Sequence, residues 1–320
     1  MPASLNPRAR PIVVAAAQMG PIALSETRAD CVARLLEMMR EAASRGAKLV
    51  VFPELALTTF FPRWWFEADQ EVDVFFEREM PGPETRILFE TAAELGIGFY
   101  LGYAELAHTD AGLKRFNTAV LVNDKGAIVG KYRKVHLPGH ADHRPERAFQ
   151  HLEKRYFQPG DLGFPVWETM GGNFGMCICN DRRWPETYRV MALRSVEMVL
   201  LGYNTPNDHT GHPEIDGLSN FHNQLAMQAG AYQNATWVVG TAKCGIEEGS
   251  PMIGQSMIVA PSGEVVAMAS TLGDEVVVAR CDLDLCRIYR ETFFNFAVHR
   301  EPAHYGPITA QKGPVPPTNG

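Results

Sequence analysis

The chain has 320 residues, with 30 basic and 37 acidic side chains and a formal net charge of −7. An acidic balance argues against a general nucleic-acid or anionic-membrane binder, since both need a basic face. No stretch approaches the ~20 apolar residues of a membrane span. A chain of this length buries roughly three quarters of its unfolded surface, so its core needs neither disulfides nor a structural metal. Cys31, Cys177, Cys179, Cys244, Cys281 and Cys286 therefore read as reduced, mostly buried thiols of a cytoplasmic protein. Their spacing is not that of a zinc ribbon. Arg8 and Arg10 before the apolar run 12–17 weakly mimic a secretory signal. The run is short and ends in Gln18, and a buried strand explains it better.

Residues 1–10 read as a leader and 11–18 as a strand. The spacing of Val32, Leu35, Leu36, Met39 and Ala43 predicts a helix over 25–45, with Ser25 as N-cap, Glu26 in the first turn and Gly46 as its stop. Residues 49–52 read as a strand ended by Pro53, 83–95 as a helix stopped by Gly96, and 97–104 as a third strand. This alternation signals an α/β fold. Two hairpin signals follow, 116–123 with 127–132 and 255–260 with 265–269, so the sheets are mixed rather than all parallel. Between them lie strands over 174–178, 197–202 and 236–242. Helices are expected over 185–194, opened by Pro185, and over 217–234. The stretch 301–320 carries Pro302, Pro307, Pro314, Pro316 and Pro317 with three glycines and reads as an extended tail.

Three strands stop at a reactive side chain: Phe52-Pro53-Glu54-Leu55, Tyr132-Arg133-Lys134-Val135-His136 and Cys177-Ile178-Cys179-Asn180-Asp181. Ligands of α/β sheets gather at the carboxyl ends of strands. Singly, each residue has a plainer reading as a loop carboxylate, a basic surface edge or an inert thiol. Their order and their spacing, 80 and then 45 residues, make the combination informative. A thiolate is a strong nucleophile but needs a base, and the oxyanion it creates needs a cation.

With these three motifs the chain resembles the nitrilase superfamily of carbon–nitrogen hydrolases, over about residues 11–305. Within it, the likeness is to N-carbamoyl-D-amino acid amidohydrolases. It is carried by residues 53–64, Gln150-His151-Leu152-Glu153-Lys154-Arg155-Tyr156-Phe157, residues 179–186 and Gly202-Tyr203-Asn204-Thr205-Pro206. Asn180-Asp181 stands where true nitrilases have Trp-Glu. The resemblance implies a four-layer α-β-β-α sandwich with two mixed sheets in a single domain over 11–305, followed by a tail over 306–320. It implies hydrolysis of an N-carbamoyl-D-amino acid to the D-amino acid, carbon dioxide and ammonia, with no cofactor and no metal. Cys179 would be the nucleophile, Glu54 the proton carrier and Lys134 the oxyanion partner. Glu153 would position Lys134, unless it is a surface carboxylate paired with Lys154 or Arg155. His136 and His151, Asn180, Asn204 and Thr205 are candidates for substrate contact. Arg182 and Arg183 are candidates for holding the substrate carboxylate, because Arg grips carboxylates bidentately; the sequence leaves open which of the two does so. Phe60, Phe61 and Trp64 fit either a pocket wall or a core. A homodimer or homotetramer is expected, with a small-molecule substrate as the ligand.

Two alternatives remain. A related amidase or β-ureidopropionase shares the Glu-Lys-Cys set. A metal hydrolase would use Asp208, His209, His212 and His222, but His209-x2-His212 is not the i, i+4 pair of a zinc protease, and Gly211 and Pro213 imply a loop.

Overall fold

The computed structural model describes residues 9–68, 70–110, 112–147, 149–207 and 211–317. The chain begins with β1 (Pro11–Gln18), α1 (Arg28–Ser44), β2 (Leu49–Val51), α2 (Arg86–Leu95), β3 (Gly98–Thr109), β4 (Gly112–Val122) and β5 (Ile128–Arg133). It continues through α3 (Glu153–Tyr156), β6 (Val166–Thr169), β7 (Gly172–Ile178), α4 (Pro185–Ala192), β8 (Met198–Tyr203), α5 (Pro213–Asp216), α6 (Ser219–Asn234) and β9 (Trp237–Ala242). Next come β10 (Cys244–Glu247), β11 (Ser250–Ile253), β12 (Met257–Val259), β13 (Val265–Met268), β14 (Glu275–Asp282) and α7 (Asp284–Glu291), with short helical turns beyond it.

The strands form two six-stranded mixed sheets, ordered β14-β1-β2-β3-β4-β5 and β13-β12-β9-β8-β7-β6, plus the small ribbon β10-β11. Strand alternation builds the layers, because successive side chains point to opposite faces. Val14 and Ala16 of β1, Tyr100 of β3 and Ala119 and Leu121 of β4 face the second sheet, against Phe174, Met176, Ile178, Met198 and Leu200. Their neighbours Ala15, Ala17, Phe99, Leu101, Val120 and Val122 face α1 and α2. On the far side Tyr188 and Met191 of α4 and Met227 and Ala231 of α6 cover the second sheet. The result is the expected α-β-β-α order. Among the described residues no helix is long and apolar enough to cross a membrane.

Several boundaries differ from the sequence expectation, for local reasons. The first helix starts at Arg28 with Thr27 as its cap, not Ser25, because Thr27 and Asp30 close a reciprocal capping box. Glu26 instead bonds Arg34 and the Ala23 amide. The second helix starts at Arg86 rather than Pro83. The third strand runs on to Thr109 and pairs with β4 back to Gly112. Beyond its expected end Glu105 is buried and accepts from Thr118 of β4 and from Lys131 and Arg133 of β5. The strand β14, not foreseen, pairs with β1 along its whole length. In the expected tail, Pro302–His304 and Gly306–Ala310 form short helical turns with no buried residue.

Candidate active site

Glu54 lies just past β2, Lys134 just past β5 and Cys179 just past β7. The sheet packing brings these ends together, and two glycines set the depth of Glu54. A Cβ on Gly202 of β8 would stand 2.5 Å from the Glu54 amide nitrogen, and one on Gly102 of β3 would stand 2.7 Å from the Pro53 carbonyl oxygen. Strands from both sheets thus close on the Pro53–Glu54 peptide at a distance only glycine permits. Leu55 and Cys179 adopt left-handed φ values of 48° and 47°, a strained conformation typical of functional turns.

The polar geometry is tight. The Lys134 ammonium donates to Glu54 Oε1 at 2.7 Å and to Glu153 Oε2 at 2.6 Å, and all three side chains are fully buried. His151 Nε2 lies 3.0 Å from Glu153 Oε1. The Cys179 thiol donates to the Asn204 carbonyl at 3.5 Å, while the Asn204 amide donates to Glu54 Oε2 at 2.9 Å. Thiol and carboxylate therefore meet the backbone of one residue.

Burial separates the two carboxyls. It raises Glu54 above the usual carboxylate value, and Lys134 offsets this only in part. Burial acts on Glu153 in the same direction, but Lys134 and His151 outweigh it and hold its carboxyl below the usual value. Burial also works against the Lys134 charge; Cys179, Glu153 and Glu54 overcome it and raise its pKa. Burial, then Glu54, push the Cys179 thiol up. The resting site is thus an ammonium beside an ionised Glu153, a protonated thiol, and Glu54 as the group poised to exchange a proton.

A narrow pocket at Cys179 is lined by Pro138, His151, Asn180, Arg183, Asn204, Thr205 and Pro206. Five of the seven candidate contact residues line it; His136 and Arg182 do not. Arg182 is buried, and its three nitrogens serve Asn223, the Cys179 carbonyl and the Thr205 hydroxyl. It braces the turn that carries Cys179. Arg183 is exposed and makes no hydrogen bond or ion pair among the described residues. Burial of its head group, then Arg182, lower it to about 10, which leaves it a cation at neutral pH. His136 bonds Asp181 Oδ1 at 2.7 Å and stacks on Trp184. Asn180 donates to the His136 carbonyl, and the Asn204 amide group donates to the Glu54 carbonyl. Glu153 is buried against Lys134, not paired at the surface. Phe60 and Phe61 belong to the core, with Trp64 packed against it. Asp208 and His209 lie outside the described residues; His212 caps α5 and His222 lies on α6.

Four residues were not anticipated. Asn117 donates to Glu54 Oε1 at 2.7 Å. Asp181 accepts from the Tyr132 hydroxyl, the Ile178 amide and the His136 amide, tying the Lys134 strand to the Cys179 turn. Lys243 and Glu247 form a buried pair that holds the loop after Glu54 through the Thr58 carbonyl and the Phe60 amide. The available signal for Asn117 was an amide inside an apolar strand, where it needs a partner.

A family model described as carbon–nitrogen hydrolase matches residues 13–291. A nitrilase of Pyrococcus abyssi is 34% identical over 251 residues, 78% of this chain and 83% of that protein. The N-carbamoylputrescine amidase of Arabidopsis thaliana is 31% identical over 305 residues, 92% of this chain and 94% of that protein. The crystal structure of a carbon–nitrogen hydrolase from Helicobacter pylori G27 shares the fold with a TM-score of 0.79 at 22% identity, over 94% of this chain and 99% of that one. With the family model spanning most of its length, the chain belongs to the carbon–nitrogen hydrolase family.

Proposed function

We propose that the protein hydrolyses N-carbamoyl-D-amino acids to the D-amino acid, carbon dioxide and ammonia. The coarser activity, hydrolysis of non-peptide carbon–nitrogen bonds of the amide type, goes with the family. The observation that carries the finer reading is Arg183, a cation with no ion pair among the described residues, at a pocket whose described lining contains no acidic residue. Such a pocket suits a substrate with an anionic end and disfavours one ending in an amine. The carbamoyl group is supported by the relative named for N-carbamoylputrescine. The D configuration is supported by the sequence likeness alone.

In this reading Glu54 takes the Cys179 proton as sulfur attacks the ureido carbon. Lys134 and the backbone N–H after Cys179 face the developing oxyanion. Glu54 returns the proton to the departing nitrogen, leaving an acyl-enzyme. It then deprotonates the water that displaces sulfur, and the proton returns to the thiol. The carbamic acid so released breaks its remaining C–N bond as carbon dioxide leaves, with its proton passing to that nitrogen. Arg183 anchors the carboxylate while Arg182 keeps the turn in place. We include in the proposal a cytoplasmic homo-oligomer acting on a small molecule without a cofactor.

The test measures ammonia release from N-carbamoyl-D-phenylalanine, N-carbamoyl-L-phenylalanine and N-carbamoylputrescine by wild type and Cys179→Ala. Release from the D compound alone, absent in the variant, is expected. Release only from the putrescine compound, or only from simple amides and β-ureido acids, would replace the substrate assignment. Release that survives Cys179→Ala would refute the thiol mechanism.

A further inference from the structure

Asn117 is almost fully buried in the middle of β4. Its amide nitrogen donates to Glu54 Oε1 at 2.7 Å. Its backbone carbonyl accepts from the Lys134 amide at 2.8 Å, one step past the β4–β5 pairing of Thr118 with Arg133. One residue therefore holds both members of the Glu54–Lys134 pair. Its side-chain oxygen is buried with no partner among the described residues. A buried unpaired acceptor costs free energy, and an apolar side chain here would avoid that cost. What an apolar residue would lose is the donor to Glu54.

That donor makes the two oxygens of Glu54 unequal. Oε1 receives both Asn117 and the Lys134 ammonium. Two N–H donors occupy the two lone-pair sites of that oxygen. Among the described residues Oε2 receives only the Asn204 amide, whose own residue carbonyl accepts the Cys179 thiol. Oε2 thus keeps an open site, on the side of the nucleophile.

We propose that Asn117 is a positioning residue of the hydrolase reaction: it locks Glu54 Oε1 against Lys134 and leaves Oε2 as the oxygen that exchanges protons. The inference rests on the Glu54-Lys134-Cys179 reading above. In each half-reaction one proton moves through Oε2. It leaves Sγ as the S–C bond forms and reaches nitrogen as the C–N bond breaks. A second proton then leaves water as the O–C bond forms and passes to sulfur as the C–S bond breaks. The ionisable groups around Glu54 are Lys134 beyond β5, Glu153 on α3 and Cys179 beyond β7, with Arg182 behind the cysteine. Changing Asn117 leaves all of them in place. It removes one hydrogen bond that favours the ionised carboxylate, so Glu54 becomes protonated at higher pH.

The experiment follows two reactions against pH in wild type, Asn117→Leu and Asn117→Asp: ammonia release from N-carbamoyl-D-phenylalanine, and alkylation of Cys179 by iodoacetamide, read by mass spectrometry. Asn117→Leu keeps the size of the side chain and supplies no donor; Asn117→Asp keeps the shape but sets a second carboxyl against Glu54, and the like charge moves the limb in the same direction. The acid limb of both profiles is expected to move up by about one pH unit, the size of one charge-assisted hydrogen bond, and kcat is expected to fall about ten-fold or more with KM little changed. Alkylation needs no substrate, so a wild type that ignores carbamoyl compounds, with the alkylation limb shifted in the variants, would sink the substrate assignment and leave Asn117 in its role. Variants that fold with the acid limb unmoved, or a pair that cannot fold at all, would make Asn117 a structural residue and overturn the proposal.

Discussion

Burial works against the charge of Glu54, and the neighbouring ammonium only partly offsets this. Its folded-state pKa is raised above 4.5, so the folded protein holds that proton more tightly than the unfolded chain does. Its stabilising contribution is present below the unfolded value and is lost as pH rises through the folded one. Glu54→Gln removes the loss. The variant is expected to lose ammonia release and to gain thermal stability over wild type between pH 5 and pH 8, measured by paired melts. A stability difference that ignores pH would contradict the shift. Lys134→Met has the opposite sign. It leaves Glu153, whose carboxyl is held low by Lys134 and His151, buried without its ammonium. Breaking a buried pair costs about 3–5 kcal/mol. That cost is expected at neutral pH and should shrink as acid neutralises Glu153 and Glu54. Urea unfolding at pH 7 and pH 5 reads both effects. Glu54, Lys134 and Cys179 were legible because each closes a strand within a motif. Asn117 and Asp181 were not, since their partners are 63 and 49 residues away in the chain. The division of labour between Arg182 and Arg183 was hidden too, because one step along a 3₁₀ turn rotates a side chain by roughly a third of a circle.

Among elements, the determinant of the site is how closely β3 and β8 approach the chain after β2. Gly202→Ala would place a methyl 2.5 Å from the Glu54 nitrogen, and such overpacking costs about 1–3 kcal/mol. Gly96→Ala, at the left-handed cap of α2 with open space around it, costs about 1–2 kcal/mol through backbone strain alone. The two variants are thus matched in stability and differ in place. Gly202→Ala is expected to lose activity at least ten-fold more than Gly96→Ala does, at temperatures where both are folded. Equal activity in the two would mean that Glu54 tolerates displacement. The same scale shows why part of the fold escaped the sequence. Apolar strands such as β2, β8 and β9 announce themselves, being buried along their length. The outer half of the β3–β4 hairpin carries Glu105, Lys114 and Arg115 and looks like loop until Glu105 is seen to pair with Lys131 and Arg133 of β5, and Arg115 with Asp73. The strand β14 is mostly half-exposed, so its pattern is weak, and only its pairing with β1 defines it.

At the scale of the molecule, the sandwich leaves one helical face apolar. Phe221 and Leu225 of α6 are 58% and 50% exposed, and Tyr232, two turns on, is also exposed. Their i, i+4, i+11 spacing puts them on one stripe, opposite the buried Asn223, Met227 and Ala231. Ile215 and Leu218, just before the helix, and Leu193 at the end of α4 are exposed as well. Scattered apolar residues need no explanation, but several large ones on one face mark an interaction surface. A second copy of the chain is the occupant that suits a two-fold axis, because a single stripe can pack against itself. The oligomer proposed above is therefore assigned to this face. Multi-angle light scattering of the wild type at micromolar concentration is expected to give at least twice the 35.5 kDa of one chain. Phe221→Glu with Leu225→Glu is expected to shift it toward one chain while the circular dichroism spectrum stays unchanged. A monomeric wild type would remove the proposal outright. An oligomer indifferent to both charges would move its interface away from α6.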